Sequence, residues 1–282
     1  MNIYIRYSIV CVLLISSFSG YAQKNTSGIY SNKPTRPKPP KPLRSEFSLG
    51  IRLNTDGWGV ILDKGVVKPK NSKYGDMYYD VKLYEFELSE HKSPKETKIT
   101  NTNGALGTDN PTPYIYGKIN NFYTIKFGLG NRKMIAGKPE AGTVSIHWLY
   151  MGGISVGLLK PYYINTYMSY DSSINATDPP GKQTIKYNPA THDAFLSLGK
   201  YEFNAIGAAG FSKGLNEIKI VPGIFFKTGL HFDFATTRRM KLAVETGAIA
   251  ELYTQKIQIM ANDEAVPYFL GMYLGIQFGK RW

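Results

Sequence analysis

The sequence predicts an all-β protein: a transmembrane antiparallel up-and-down β-barrel, with eight strands and two long external loops. Two observations predict it. From residue 45 onward, segments in which apolar residues alternate with small or polar ones recur along the chain, and this is the periodicity of β-strands. Beyond residue 22, no apolar run approaches the length of a membrane helix. A chain of this kind can enter a membrane only as a closed barrel, because an open sheet would leave backbone groups unpaired in lipid.

The N-terminal segment 1–22 has the three parts of a secretory signal peptide. Arg6 supplies a positive charge, a mostly apolar stretch follows, and small residues precede a cleavage position after Ala22. The alternative, a membrane-anchoring helix, needs about 20 apolar residues, and this run is shorter. The single cysteine, Cys11, lies inside the signal, so the exported chain would contain no disulfide and no cysteine metal site.

Residues 23–44 are rich in proline and basic residues. Proline fixes φ and removes a backbone donor, so this segment is expected to be an extended, solvated, disordered tether on the periplasmic side. A plain spacer and a docking peptide are both compatible with this composition.

Residues 45–282 are expected to form the barrel. The phase of the third strand shifts near Tyr84, which indicates a β-bulge. The alternating segments predict strands at about 45–54, 57–65, 77–89, 122–132, 143–159, 217–234, 240–259 and 267–281.

The fifth strand shows which face points outward. Val144, Ile146 and Trp148 share one face, and Ser145 and His147 share the other. The interior of an eight-stranded barrel is just wide enough for its side chains, and the bulky apolar residues of these strands would overfill it. The apolar face is therefore predicted to face lipid, and the face rich in glycine and polar residues to line the lumen.

Connection lengths predict the orientation of the barrel. The connections after the fourth and sixth strands, around 137–142 and 236–239, are short, whereas those at about 90–121 and 160–216 are long. Barrels of this type have short periplasmic turns and long external loops, so both termini are expected on the periplasmic side. The stretch 205–215 is predicted to form a short helix.

Several motifs carry a resemblance to known proteins. The spacing Tyr273-x-Gly275-x-x-Phe278, with Trp282, resembles the closing-strand pattern that the outer-membrane assembly machinery reads. Over residues 45–282, the chain resembles uncharacterised outer-membrane β-barrel proteins of the Bacteroidetes type. That resemblance implies the fold and an outer-membrane location, and it implies no catalytic residues. It rests on the segments 54–60, 117–121, 159–163 and 279–282.

Charged residues on the predicted lumen face form the first candidate site. Buried charges persist when they are paired, so a near balance of signs favours an ion-paired plug in a narrow barrel; a selectivity ring is the alternative. The candidate residues are Arg52, Lys126, Lys219, Lys227, His231, Asp63, Asp233, Glu245 and Glu251.

The second candidate site is an external binding loop. Clustered tyrosines suit contact with protein or glycan, and here they could equally pack as a lid over the mouth of the barrel. The residues concerned are Tyr162, Tyr163, Tyr167 and Tyr170.

The sequence predicts a non-enzymatic scaffold or partner-binding barrel; the alternatives are a barrel enzyme acting on outer-membrane lipid, or a small pore. No histidine spacing is diagnostic of catalysis or of a metal site, and no cofactor is expected. The net charge of +13 favours anionic partners, but an exported chain would rarely meet nucleic acid. The expected partners are outer-membrane lipid, the barrel assembly machinery, and a periplasmic or outer-membrane protein.

Overall fold

The computed structural model describes residues 44–69, 79–100, 112–137, 143–168, 181–197, 205–234 and 239–282. The predicted signal peptide, the tether except for Arg44, and Tyr170 lie outside these ranges.

Thirteen strands and one short helix, α1 (His192–Ser197), form the described part of the chain. Eight of the strands form the barrel. In chain order the strands are β1 (Ser45–Asn54), β2 (Gly57–Pro69), β3 (Tyr79–His91), β4 (Lys98–Ile99), β5 (Tyr114–Ile115), β6 (Asn120–Gly137), β7 (Val144–Pro161), β8 (Tyr163–Met168), β9 (Gly181–Lys186), β10 (Ala205–Ala208), β11 (Lys219–Phe234), β12 (Met240–Ile257) and β13 (Val266–Arg281).

The barrel is closed. Its strand order is β1-β13-β12-β11-β7-β6-β3-β2, and every neighbouring pair is antiparallel. The ladder closes between β1 and β13, where Leu53 pairs with Leu274 and the Ser45 amide donates to the Trp282 carbonyl at 3.0 Å. The predicted eight-stranded antiparallel barrel is confirmed, and all eight predicted strands are present with boundaries shifted by a few residues.

The predicted bulge in the third strand is wrong. Strand β3 pairs in unbroken register with both β2 and β6. Val81 and Leu83 point inward and are followed on the same face by Glu85 and Glu87. The composition of the inner face therefore changes from apolar to charged along the strand, and this change imitates a shift of phase.

The predicted helix over 205–215 is also wrong. This stretch begins as the edge strand β10, which pairs with β8. It continues through a turn in which Gly214 has a φ of 81°, and it ends at a 3-10 turn, Leu215–Glu217. Positive φ at Gly214 interrupts any helix there, because right-handed helices require negative φ.

The second long loop folds into a small unit that the sequence analysis did not anticipate. Strands β10, β8 and β9 form a three-stranded sheet in that order. Tyr114 from the first long loop and Ile164 and Phe195 from the second form its core, each about 5% exposed. We call β8, β9, β10 and α1 the loop unit.

The outer wall of the barrel is apolar. Leu270, Met272 and Phe278 are 71%, 70% and 63% exposed, although they lie in the middle of a paired strand. Charged residues fill the inner face instead. A water-soluble barrel would reverse this arrangement, so the outer wall is built to contact lipid. In the described ranges, no helix is long and apolar enough to span a membrane.

Candidate functional site

A continuous set of buried ion pairs runs through the lumen, from the end near the chain termini to the end that carries the long loops. We call it the charge column. Its cations and anions come from strands all around the barrel and from the β1–β2 turn. Their side chains are almost completely buried, except that of Asp56, which is 19% exposed. The column consists of Glu46, Arg52, Asp56, Glu85, Glu87, His91, Lys126, Arg132, Lys227, His231, Asp233, Lys241, Glu245, Glu251 and Arg281.

At the end near the termini, the column is organised around the Glu46 carboxylate. Arg281 Nε and Lys241 Nζ donate to it at 3.1 and 3.2 Å, and Arg132 forms a third ion pair with it. Arg281 also pairs with Asp233. Glu46 and Arg281 lie opposite each other on β1 and β13, so this cluster also joins the two strands that close the barrel.

His231 connects this cluster to the centre of the lumen. Its Nε2 lies 2.8 Å from Arg132 Nη1, and its Nδ1 lies 3.2 Å from Glu245 Oε2. The guanidinium can only donate, so Nε2 must accept and the ring proton is on Nδ1, where it is donated to Glu245. The ring thus links Arg132 to Glu245 through one hydrogen bond at each nitrogen.

Arg52 is the centre of the column. It contacts Glu85 at 3.3 Å and Glu245 at 3.2 Å, and it pairs with Glu87. Lys227 lies beside it and donates to both oxygens of Glu85 at 2.6 and 2.5 Å. Each carboxylate here has at least one cation, which offsets the desolvation that burial imposes on it.

The Tyr273 ring packs against these two central cations. Arg52 Cζ lies 4.6 Å from its centroid and Lys227 Nζ lies 5.5 Å away. The inward positions beside the ring are Gly229 and Gly247, where an added Cβ would approach the Tyr273 hydroxyl to 2.8 and 2.9 Å. Glycine on the inner face therefore makes room for an aromatic side chain inside a narrow barrel.

At the loop end, the column reaches the first hairpin turn. Lys126 donates to Glu87 at 3.2 Å and pairs with Glu251. His91 Nε2 lies 3.3 Å from Glu251, and its Nδ1 lies 2.6 Å from Asp56 in the β1–β2 turn. Both ring nitrogens of His91 thus face carboxylate oxygens.

An aromatic and aliphatic layer closes the lumen above the column. Phe122 and Phe269 stack with centroids 5.4 Å apart, and Tyr253 meets Phe122 edge-on at 5.1 Å. Val221, Ile257 and Met260 complete the layer and are almost completely buried. Water and ions would have to displace this apolar layer to reach the charges below it.

The loops are hydrogen bonded across the mouth. The Ile119 amide donates to the Ile259 carbonyl at 2.8 Å, and the Ala261 amide donates to the Gly117 carbonyl at 2.7 Å. Asn120 Nδ2 also donates to the Gln258 carbonyl at 2.8 Å. The first long loop and the β12–β13 loop therefore form one layer across the barrel opening.

Contacts at the edge of the loop unit connect it to the start of β11. The Tyr163 hydroxyl donates to Glu217 at 2.5 Å, and Lys186 from β9 pairs with the same carboxylate. Hydrogen bonds from Lys186 and Tyr163 hold the pKa of Glu217 below its ordinary value. Because Glu217 is solvent-exposed, this contact orders the loop edge without contributing much stability.

All but one of the predicted lumen residues lie inside the lumen. The exception is Lys219, which is exposed at the start of β11, above the mouth, although the alternation along β11 places it on the inward side. Asp63 lies inside the lumen and is 1% exposed, outside the column's ion pairs. Seven of the predicted residues belong to the column: Arg52, Lys126, Lys227, His231, Asp233, Glu245 and Glu251.

Sequence reasoning missed further charges of the column. Glu85 and Glu87 were hidden by the change of composition along β3, although strict period-two parity through Leu83 would have placed them inside. Lys241 and Arg281 lie at strand ends, and Arg132 lies at the end of the predicted fourth strand; a charge at such a position is usually assigned to solvent. Glu46 is the second residue of β1 and lies on the same face as Arg52, but its place at the start of the strand left it assigned to solvent.

The predicted binding tyrosines are only partly available for an external ligand. The Tyr162 hydroxyl accepts from the Ile115 amide at 3.0 Å, and its ring packs on the core of the loop unit. The Tyr163 hydroxyl is bound to Glu217. Tyr167 lies on β8, and Tyr170 is outside the described residues.

Within the described ranges, no group of three or more His, Cys, Asp or Glu side chains is placed to hold a metal ion.

No protein-family model matches the chain, and no curated protein matches it. Two solved structures are similar to it in fold. Neisserial surface protein A is 6% identical, with 85% of this chain and 96% of that chain covered and a TM-score of 0.35. The N-terminal β-barrel domain of Pseudomonas aeruginosa OprF is 8% identical, with 84% and 96% covered and a TM-score of 0.28. At such scores, the assignment of the fold depends on this chain's own closed ladder.

Proposed function

We propose that this protein is a closed, non-enzymatic outer-membrane barrel that holds the loop unit outside the membrane, where the unit binds a partner protein. The observation that carries the proposal is the combination of a filled lumen with a loop unit that has its own core. A barrel with ion pairs and an aromatic layer inside acts as a rigid support, and loops on a rigid support commonly carry binding.

The filled lumen favours this role over that of a small pore. Arg52, Lys227 and Glu245 are fully buried, and their charges are matched by one another and by their neighbours. A selectivity ring would instead keep its charges in contact with water in an open channel. We expect purified protein in planar bilayers to show no stepwise conductance, and regular channel openings would contradict the closed-barrel assignment.

His91 is arranged as a structural link rather than as a catalytic base. A base that activates a hydroxyl nucleophile needs one ring nitrogen directed at that hydroxyl. In His91, one nitrogen faces Asp56 and the other faces Glu251. This geometry disfavours His91 as the base of a lipid hydrolase.

The partner is expected to meet the outer side of the loop unit. Strand β9 is an edge of its sheet, and Thr184 on β9 and Ala190 beyond it are exposed. An edge strand offers unpaired backbone groups that another chain can bind. The outer-membrane location and entry through the assembly machinery are part of this proposal, supported by the outward-facing Phe278 at the end of β13.

Site-specific photo-cross-linking tests the proposal. A benzophenone amino acid at Thr184 or Ala190 should yield one discrete protein adduct in native membranes. The same probe at lipid-facing Ile224 is the control and should yield none. If neither loop position gives an adduct while the barrel assembles normally, the loop unit is not a protein-binding surface.

A further inference from the structure

The outer wall carries a group of lysines and aromatic residues that the proposed function does not use. It lies near the terminus end of β3, β6 and β7. Lys82 and Lys133 are exposed there. In the barrel register, Lys82 pairs with Asn131, and Asn131 pairs with Tyr150; one step further along, Lys133 pairs with Trp148.

The two ammonium groups have aromatic neighbours. Lys82 Nζ lies 5.7 Å from the Tyr84 centroid, and Lys133 Nζ lies 5.4 Å from that of Tyr150. Among the described residues, no carboxylate is within 4.0 Å of either ammonium. Diagonal positions on neighbouring strands are about 7–8 Å apart, so the two like charges repel each other unless an anion lies between them.

Asp80 is an acidic residue next to this group. It is on β3, directly opposite Lys133 of β6 and Lys68 of β2. A single carboxylate between two lysines cannot also neutralise Lys82, so the group keeps an excess of positive charge.

The position of the group along the wall matches a lipid headgroup region. On β6, the outward residues from Tyr123 to Leu129 are apolar or aromatic, and the polar residues Asn131 and Lys133 follow. The strand from Tyr123 to Lys133 rises about 34 Å, which at a tilt of about 40° projects to roughly 26 Å along the barrel axis. An apolar band of a membrane barrel is about 25 Å tall, so Lys133 lies at its edge.

We infer that Lys82 and Lys133 bind the phosphate of an anionic phospholipid in the leaflet at the terminus end. Asn131 lies between them as a hydrogen-bond donor, while Trp148 and Tyr150 contact the glycerol region, where amphipathic rings prefer to lie. This inference requires only that the barrel be in a bilayer, and it does not depend on a partner for the loop unit.

Fluorescence quenching by brominated lipid tests the inference. The chain has three tryptophans, so a W58F/W282F background leaves Trp148 as the reporter beside Lys133. Phosphatidylglycerol and phosphatidylcholine, each brominated near the glycerol end of one acyl chain, are compared in vesicles. Each lysine near an anionic headgroup contributes about fivefold in affinity, so we expect phosphatidylglycerol to be preferred by roughly tenfold or more.

Three variants give the expected pattern its specificity. K82Q/K133Q should reduce the preference to near unity, whereas K219Q/K256Q, which removes two exposed charges at the loop end, should leave it unchanged. D80N should raise the preference for phosphatidylglycerol. This variant keeps the inference testable if K82Q/K133Q assembles poorly. Equal losses in both double variants would show a general charge effect and overturn the site.

Two further arms separate the possible outcomes. Inorganic phosphate in millimolar excess should not displace the lipid; displacement would mean that the site binds free phosphate and would overturn the lipid assignment. Quenching by phosphatidylcholine reports insertion alone. Its absence would contradict the membrane barrel itself, whereas insertion without a headgroup preference would overturn only the site.

Discussion

Lys227 Nζ lies 2.6 Å from Glu85 Oε1, although their strands, β11 and β3, are not neighbours in the barrel. The contact therefore crosses the lumen, and both side chains are almost completely buried. Ladder hydrogen bonds join each strand only to its neighbours. Cross-lumen ion pairs add links between distant parts of the wall and make the barrel resist flattening.

Removing the charge of Glu85 should destabilise the barrel strongly. Among the described residues, the variant Glu85→Gln leaves Lys227 with one ion-pair partner, Glu245 at 3.4 Å. An incompletely paired buried charge costs about 3 kcal/mol or more. Urea unfolding in lipid vesicles measures the loss. Exposed Glu264→Gln is the control and should change little. The double variant E85Q/K227M should recover part of the loss, and a single variant as stable as the parent would contradict the role of the pair.

Crowding at an inward glycine should be destabilising and should be relieved by shortening its neighbour. A Cβ at Gly157 would lie 2.7 Å from the Phe122 ring, whereas a Cβ at outward Gly152 would meet nothing closer than 3.5 Å. We expect Gly157→Ala to cost about 1–3 kcal/mol and Gly152→Ala to be nearly neutral. Adding Phe122→Leu should restore part of the loss at Gly157. The measurement is the temperature at which the folded band disappears on a gel. Equal effects at both glycines would contradict the assignment of Gly157 to the inner face and Gly152 to the outer face.

A charge on the outer wall should impair assembly. Phe226 is 54% exposed on the lipid-facing side of β11, and a cation at mid-bilayer in a barrel costs about 2–4 kcal/mol. Phe226→Arg should lower the yield of heat-modifiable protein in vesicles, whereas Phe226→Leu should not. Normal insertion of the arginine variant would show that this wall does not contact lipid.

The edge of the loop unit should loosen in acid. Because hydrogen bonds from Lys186 and Tyr163 lower the pKa of Glu217 from its ordinary 4.5, the folded loop favours the carboxylate. The stabilisation is complete above the ordinary pKa and is lost as the pH falls through the lowered value. Amide exchange in β9, corrected for intrinsic rates, should therefore increase as the pH falls below 4.5, the ordinary pKa of the carboxyl group. Glu217→Gln should remove this pH dependence, and an unchanged profile in that variant would exclude Glu217 as its source.

The barrel strands were predictable because each obeys a local rule. Period-two alternation in β7, β11 and β13 depends only on the pleat and on the difference between lipid and lumen. The loop unit was not predictable in this way, because β8 and β10 pair across a long intervening stretch. Short edge strands have no strong periodicity, so only their tertiary contacts define them.

The charge column was only partly predictable, for a related reason. The alternation of side chains along a strand places a residue inside or outside the barrel. It gives neither the height of the residue along the barrel axis nor its ion-pair partner. Lys219 has inward parity but lies above the mouth, whereas Arg281 lies at a strand end and is buried. Cross-lumen partners such as Glu85 and Lys227 depend on strand tilt and barrel diameter, which are properties of the closed structure.

The β1–β13 seam also has a kinetic consequence. Its partners, such as Leu53 and Leu274, are separated by nearly the whole barrel sequence, whereas the β1–β2 hairpin joins residues that are close in sequence. The entropy lost on closing a loop grows with its length, and contacts of high sequence separation form slowly. We expect the seam to form last, after the hairpins. The Glu46–Arg281 ion pair spans the seam and should slow the reopening of the seam more than it speeds the closure.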